Sequence, residues 1–150
     1  MRCLLLAAVL LAACAEAPPE TPPEAPPAPT AADLTATVDA HAAAIGARDL
    51  DALMATVTAS DSLTLIFPDG TTLFTREQYR DFHVGWFADS SWTMAMRPVS
   101  QTVRDGLGVA LLRTTYTDAA GPRGAMLALT FAPEDGAWRL VFDQNTRISE

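Results

Sequence analysis

Sixteen residues, Ala15 to Thr30, read AEAPPETPPEAPPAPT and hold seven of the eleven prolines in the chain. Proline fixes φ and offers no backbone donor, so neither helix nor sheet forms through such a run. What remains is extended polyproline II at about 3.1 Å per residue, which gives sixteen residues a reach on the order of 50 Å. Glu16, Glu20 and Glu24 keep the segment solvated. It reads as a semi-rigid spacer, with a ligand for proline-binding modules as the lesser alternative. Folding is thereby confined to Ala31–Glu150, 120 residues, the size of one domain. No Gly/Ser linker and no internal repeat divides it.

The spacer follows a short leader. Arg2 supplies a basic start, Leu4 to Leu11 an apolar run, and Ala12-Ala13 small residues before Cys14. This is the layout of a secretory signal over residues 1–13. The run is too short to span a bilayer, which needs about 20 apolar residues. Leu11-Ala12-Ala13-Cys14 resembles the lipobox of bacterial lipoproteins. The resemblance implies that Cys14 is acylated (palmitate among its chains) and becomes the first residue of the mature protein. Two or more chains hold a protein stably in a membrane. Ala15 stands where an aspartate would retain such a protein at the inner membrane, so the resemblance implies the outer membrane, facing the periplasm. Cys3 is lost with the leader, and the one remaining cysteine forms no internal disulfide.

Residues 31–150 carry nine Arg, no Lys and fifteen Asp and Glu, a net charge of −6. The absence of a basic stripe argues against a nucleic-acid partner. Thr30-Ala-Ala-Asp33 is a capping box. It opens a helix with Leu34, Val38, His41 and Ile45 on one face. Asp49 caps a short second helix that buries Leu50, Leu53, Met54 and Val57. Ser62–Phe67 and Thr71–Phe74 read as a hairpin around Pro68-Asp69-Gly70. Thr75-Arg-Glu-Gln78 is a second capping box, for a helix to about Asp89 with Tyr79, Phe82, His83 and Trp86 on one face. The remainder reads as strands over 92–104, 108–118, 123–131 and 138–148. Their turns fall at Asp105-Gly106, Gly121-Pro122 and Pro133 to Gly136. Helices followed by a meander predict an α+β domain, three N-terminal helices on a strongly curved antiparallel sheet of about five or six strands.

Three features together carry a family resemblance. They are Ala47-Arg-Asp-Leu-Asp51 after the first helix, a strand ending Phe67-Pro-Asp-Gly70, and the closing Gly136-Ala-Trp-Arg-Leu-Val-Phe-Asp-Gln-Asn-Thr146. Residues 31–150 resemble the nuclear-transport-factor-2-like superfamily, in its SnoaL-like branch. The resemblance implies a cone-shaped α+β barrel with a pocket in its mouth, and often a homodimer through the sheet. The superfamily hosts isomerases, cyclases, dehydratases and binding-only domains, so fold alone does not deliver function.

The ketosteroid isomerase scheme needs a carboxylate base with a tyrosine and a protonated acid as oxyanion donors. The corresponding positions here are Phe67, His41 and Leu127, two of them apolar. Polyketide cyclase relatives place an acid and a base on late strands and a helix, where this chain has Asp143 and His83. Strict period-2 alternation puts Trp138, Leu140, Phe142 and Gln144 toward the helices. Asp143 then faces outward or toward a dimer partner, paired with an arginine. Met94, Met96 and Met126 read as packing or dimer surface. Two histidines with no available thiol give no metal site, and no cofactor is implied. The expected pocket is His41, Phe67, Tyr79, His83, Trp86, Tyr116 and Gln144, taking a small, mainly apolar ligand. The alternatives are a small-molecule isomerase, dehydratase or hydrolase using His83 or His41 as acid/base, and a dimeric scaffold whose pocket is filled by its own side chains.

Overall fold

The computed structural model describes residues 26–148. The leader, Cys14 and most of the spacer lie outside the described residues. The order is α1 (Ala31–Ala47), α2 (Leu50–Met54), β1 (Thr64–Ile66), β2 (Thr72–Leu73), α3 (Arg76–Ala88), β3 (Thr93–Arg104), β4 (Leu107–Asp118), β5 (Gly121–Glu134) and β6 (Ala137–Arg147).

Local chemistry sets the boundaries. Thr30 and Asp33 form a complete capping box at α1: the Asp33 amide donates to Thr30 Oγ1 at 3.3 Å, and the Thr30 amide to Asp33 Oδ2 at 2.7 Å. At α3 only half the box forms. Thr75 accepts from the Gln78 amide, but Gln78 Oε1 takes the Phe74 amide rather than that of Thr75. Asp105-Gly106 and Asp135-Gly136 have positive φ at both residues, the conformation of two-residue turns that suit the twist of paired strands. Such tight turns let β5 continue to Glu134, so Pro133 belongs to the strand. Pro122 likewise lies in β5, opposite Thr117, and the turn falls at Ala119-Ala120.

The six strands run in the order β2-β1-β6-β5-β4-β3. Every pair is antiparallel except β1 with β6, which is parallel. The sheet is therefore mixed rather than antiparallel. The reason is topological: α3 carries the chain from one edge to the other, and the meander returns until β6 meets β1. The segment before β1 also pairs with β6, through Thr58 N to Leu140 O and Leu140 N to Thr56 O.

Two irregularities bend the sheet. In β3, Pro98 faces Leu112 and Ser100 faces Leu111, leaving Val99 extra. In β6, Leu140 faces Phe131 and Phe142 faces Thr130, leaving Val141 extra. A bulge of this kind curves its strand and increases its twist. The concave face receives α1 and α3. Leu34, Val38, Ala44 and Ile45 of α1 are buried against it with Ala110, Leu112, Leu129, Phe131 and Leu140. Gly108 admits a close approach of α1, since a Cβ there would lie 2.7 Å from Leu34 Cδ1. At the far end of β6, Trp138 donates from Nε1 to Thr30 O at 2.8 Å. Pro26 lies against the Asp135-Gly136 turn. The spacer thus joins the domain at the end of β6 opposite Arg147.

Candidate functional site

A cavity of about 240 Å³ opens between α3, the β1–β2 hairpin and the concave sheet. Ile45, Leu65, Leu127, Met94 and Met96 give it apolar walls, and Phe67, Phe82, Trp86 and Tyr116 an aromatic side. The aromatic side is a continuous stack. Trp86 lies on Trp92 at 4.3 Å between ring centres, and Phe82 on Trp86 at 5.6 Å. Behind it, Arg48, the left-handed residue ending α1, sits 4.2 Å over Trp92 and bonds to the carbonyls of Asp89 and Trp92. That clamp fixes the α3–β3 junction, and with it the cavity wall.

The polar side is organised by β6. Before the bulge Trp138 and Leu140 face inward. After it the inward set is Asp143, Asn145 and Arg147, which pair with Leu129, Leu127 and Ala125 of β5. The extra residue Val141 shifts the alternation by one, which is what moves every later side chain to the opposite face. This corrects the expectation for Asp143. It is 5% exposed and lines the cavity, rather than facing outward against an arginine. Its Oδ1 accepts from Asn145 Nδ2 at 3.1 Å. Burial pushes the carboxyl pKa up to about 7, against which the Asn145 bond pulls down. The carboxyl therefore changes charge around neutral pH.

His83 comes from α3, among Phe82, Trp86 and Phe87. Its Nδ1 lies 2.7 Å from the Tyr79 carbonyl, which can only accept. Nδ1 therefore carries the proton and Nε2 the lone pair. Burial lowers the imidazole pKa to about 4, so the ring is a neutral acceptor at pH 7.

His41 is built the same way but sealed. Thr56 donates its hydroxyl to Leu53 O at 2.7 Å, so His41 Nδ1, 2.8 Å from Thr56 Oγ1, must be the donor. Burial, then the neighbouring His83, lowers its pKa to about 3. His41 Nε2 and the Tyr79 hydroxyl are both buried without a hydrogen-bond partner among the described residues. Burial and the nearby Asp143 hold the Tyr79 phenol well above its ordinary value.

Of the seven residues expected in the pocket, Phe67, His83, Trp86 and Tyr116 line the cavity. His41 and Tyr79 do not: both are 0% exposed and lie in the packed interior. Gln144 is on the other face of β6, opposite Ala128, because of the bulge. Of the two roles expected for Met94 and Met96, packing or dimer surface, the structure gives the first: they form cavity wall, since they precede the β3 bulge and point inward with Thr114 and Tyr116. Sequence reasoning missed Asp143, Asn145 and Arg147 as lining residues, and no signal in one chain marks the extra residue that turns them inward. Cys14 lies outside the described residues. Among the described residues no group of three His, Cys, Asp or Glu side chains could hold a metal ion. No helix among them is long and apolar enough to cross a membrane.

A family model described as a SnoaL-like domain matches residues 34–145. No curated protein matches the chain. Among solved structures, a protein from Thiobacillus denitrificans, provisionally described as a calcium/calmodulin-dependent protein kinase type II association domain, is 22% identical. The match covers 84% of this chain and 99% of that one, with a TM-score of 0.68. A ketosteroid isomerase-like protein from Erwinia carotovora is 18% identical over 80% of this chain and 97% of its own, TM-score 0.66. An NTF2-like family protein from Streptomyces avermitilis, provisionally assigned as a dehydratase, is 12% identical over 80% and 96%, TM-score 0.69. At these identities the likeness is one of fold.

Proposed function

The chain belongs to the SnoaL-like family, and from its cavity we propose that the domain is a binding module for a small, mainly apolar ligand, carried on a lipid tether in the cell envelope. The observation behind this reading is the cavity itself: apolar and aromatic walls, a few convergent polar groups, and a volume of about 240 Å³. That is just under the usual range of about 300–1,000 Å³, so the ligand is small. An open cavity of this size also speaks against a scaffold whose pocket is filled from within. Native mass spectrometry of the protein taken from its own host's envelope extract tests the reading. A reproducible small-molecule adduct supports it, and a clean apo protein from repeated preparations counts against it.

The tether is supported by Leu11-Ala12-Ala13-Cys14, by Ala15 after it and by the proline-rich spacer. The docking of Pro26 on the Asp135-Gly136 turn is in keeping with it, because the spacer then leaves from the end remote from Arg147. Outer membrane facing periplasm is the proposed location, through an acylated Cys14. Fatty-acid labelling checks this: label absent, or surviving Cys14→Ser, overturns it.

A second reading has one specific observation in its favour. Asp143, with its pKa raised to about 7, and the neutral His83 line the same apolar cavity. A carboxyl titrating near neutral pH is suited to general acid/base work, as in an isomerase or dehydratase. His41 drops out of this reading because it does not reach the cavity. A catalyst would convert the ligand found above and lose that conversion in Asp143→Asn and His83→Ala. Recovery of the ligand unchanged after incubation with the wild-type protein would sink it.

A further inference from the structure

We propose that the ligand of this cavity is a small amphipathic carboxylate, held at the rim by Arg147 with its apolar body running inward toward Asp143 and His83. The inference rests on the binding reading above and names the class of ligand.

Along the inward face of β6 the side chains grade from buried to exposed: Asp143, then half-buried Asn145, then exposed Arg147. Four residues of strand separate Asp143 from Arg147, about 13 Å at 3.3 Å per residue. That distance suits a medium-length chain or a single substituted ring. The lining holds two guanidinium groups, Arg123 and Arg147. Arg123 is already engaged: both its terminal nitrogens bond to Asp118, and the group lies 5.1 Å over the Tyr116 ring. Arg147 makes no ion pair among the described residues. The acid that feels it is Asp69, whose carboxylate is occupied by the Thr71 amide at 2.9 Å.

The position of Arg147 is specific. The cavity opens into a shallow groove over the β1–β2 hairpin, and Phe67, Pro68, Phe82 and Arg147 line both spaces. A head group at this junction keeps contact with water while its body is enclosed. The direction of entry follows from the floor. An anion placed deep would meet Asp143 across apolar walls, at high desolvation cost. The charged end therefore stays outside. One cation with no ion pair among the described residues balances one negative charge rather than two. The planar fork of a guanidinium matches a carboxylate through two parallel bonds.

Trp86 lines the cavity, so its fluorescence reports occupancy. Octanoate and octan-1-ol share a chain and differ in the head. At pH 7 the wild-type protein should bind octanoate about fivefold more tightly than the alcohol, and added salt should narrow the gap. In Arg147→Gln the two probes should converge to within about twofold, and Arg147→Lys should keep part of the preference. Arg147 is exposed at a strand end, so these variants should keep the fold. Equal affinities in the wild type, or an octanoate preference that survives Arg147→Gln, overturn the proposal and leave the cavity reading standing. If neither probe perturbs Trp86 at millimolar concentration, the cavity reading itself falls and takes this one with it.

Discussion

Asp143→Asn removes a charge from the cavity while keeping the shape of the side chain, and its effect should depend steeply on pH. The carboxyl titrates at 3.8 in the unfolded reference and at about 7 in the folded chain. A group whose pKa is raised by folding favours the folded state while it is protonated. That contribution is complete below pH 4 and is lost as pH rises toward 7. A gap of about three units at about 1.36 kcal/mol each comes to about 4 kcal/mol. The wild-type protein gives this up on going from acid to mild alkali, and the asparagine variant has nothing to give up. His41 and His83 titrate alike in both proteins and cancel in the difference. Urea unfolding followed by tryptophan fluorescence measures it. Between about pH 4.5 and about pH 8.5 the stability of the variant relative to wild type should grow by about 3 kcal/mol. A difference constant to within about 1 kcal/mol would mean that the carboxyl ionises as freely folded as unfolded. Asp143 would then not be in the cavity, and the inward phase of β6 after Val141 would be wrong.

The histidines act in the opposite direction. His83 is lowered from 6.5 to about 4, so its contribution to stability is present above pH 6.5 and lost as pH falls through that interval; His83→Gln should make the acid limb of the stability curve shallower by about one proton. Gly108→Ala drives a Cβ to 2.7 Å from Leu34 Cδ1 in a packed interior, and should cost about 1–3 kcal/mol, read as a fall in melting temperature. Trp138→Phe removes the bond to Thr30 O; amide hydrogen exchange over residues 28–33 should accelerate, with a global loss of about 1 kcal/mol. For assembly, the outward face of β4 exposes Leu107 and Val109 beside Leu111. The homodimer through the sheet that the family resemblance implies would use this face. Light scattering should give twice the monomer mass, and Val109→Glu should return the monomer.

Much of the fold was legible because it is local. The Thr30–Asp33 box, the Asp49 cap and the Asp105-Gly106 turn are decided within a few residues, and each formed where the sequence put it. Leu34, Val38, His41 and Ile45 are all buried, as their shared helix face requires. The aromatic face of α3 was legible as a face, but not in depth. Tyr79 at the start of that face is sealed, whereas Phe82, His83 and Trp86 reach the cavity. What could not be read was non-local. The parallel β1–β6 pair follows from the path of the chain, and the two bulges depend on how neighbouring strands match. In Trp138-Arg-Leu-Val-Phe-Asp-Gln-Asn, strict alternation fits the apolar residues well, and nothing marks Val141 as extra. One misplaced step exchanged Phe142 and Gln144 for Asp143 and Asn145. The site then read as lacking its acid.

The junction of spacer and domain gives the two chain ends unequal freedom. Pro26–Thr30 is fastened beside Gly136 and Trp138, about 30 Å along β6 from Arg147 by strand length. Whatever is joined upstream of Pro26, whether a surface, a bead or a second domain, attaches at the closed end, and the opening turns toward bulk solution. The other terminus has no such licence. Ile148 follows the rim arginine directly and bonds back to Gly124 in the cavity lining. Anything appended there stands beside the entrance. Immobilisation through the N-terminus should preserve ligand uptake, while a bulky C-terminal fusion becomes a plug.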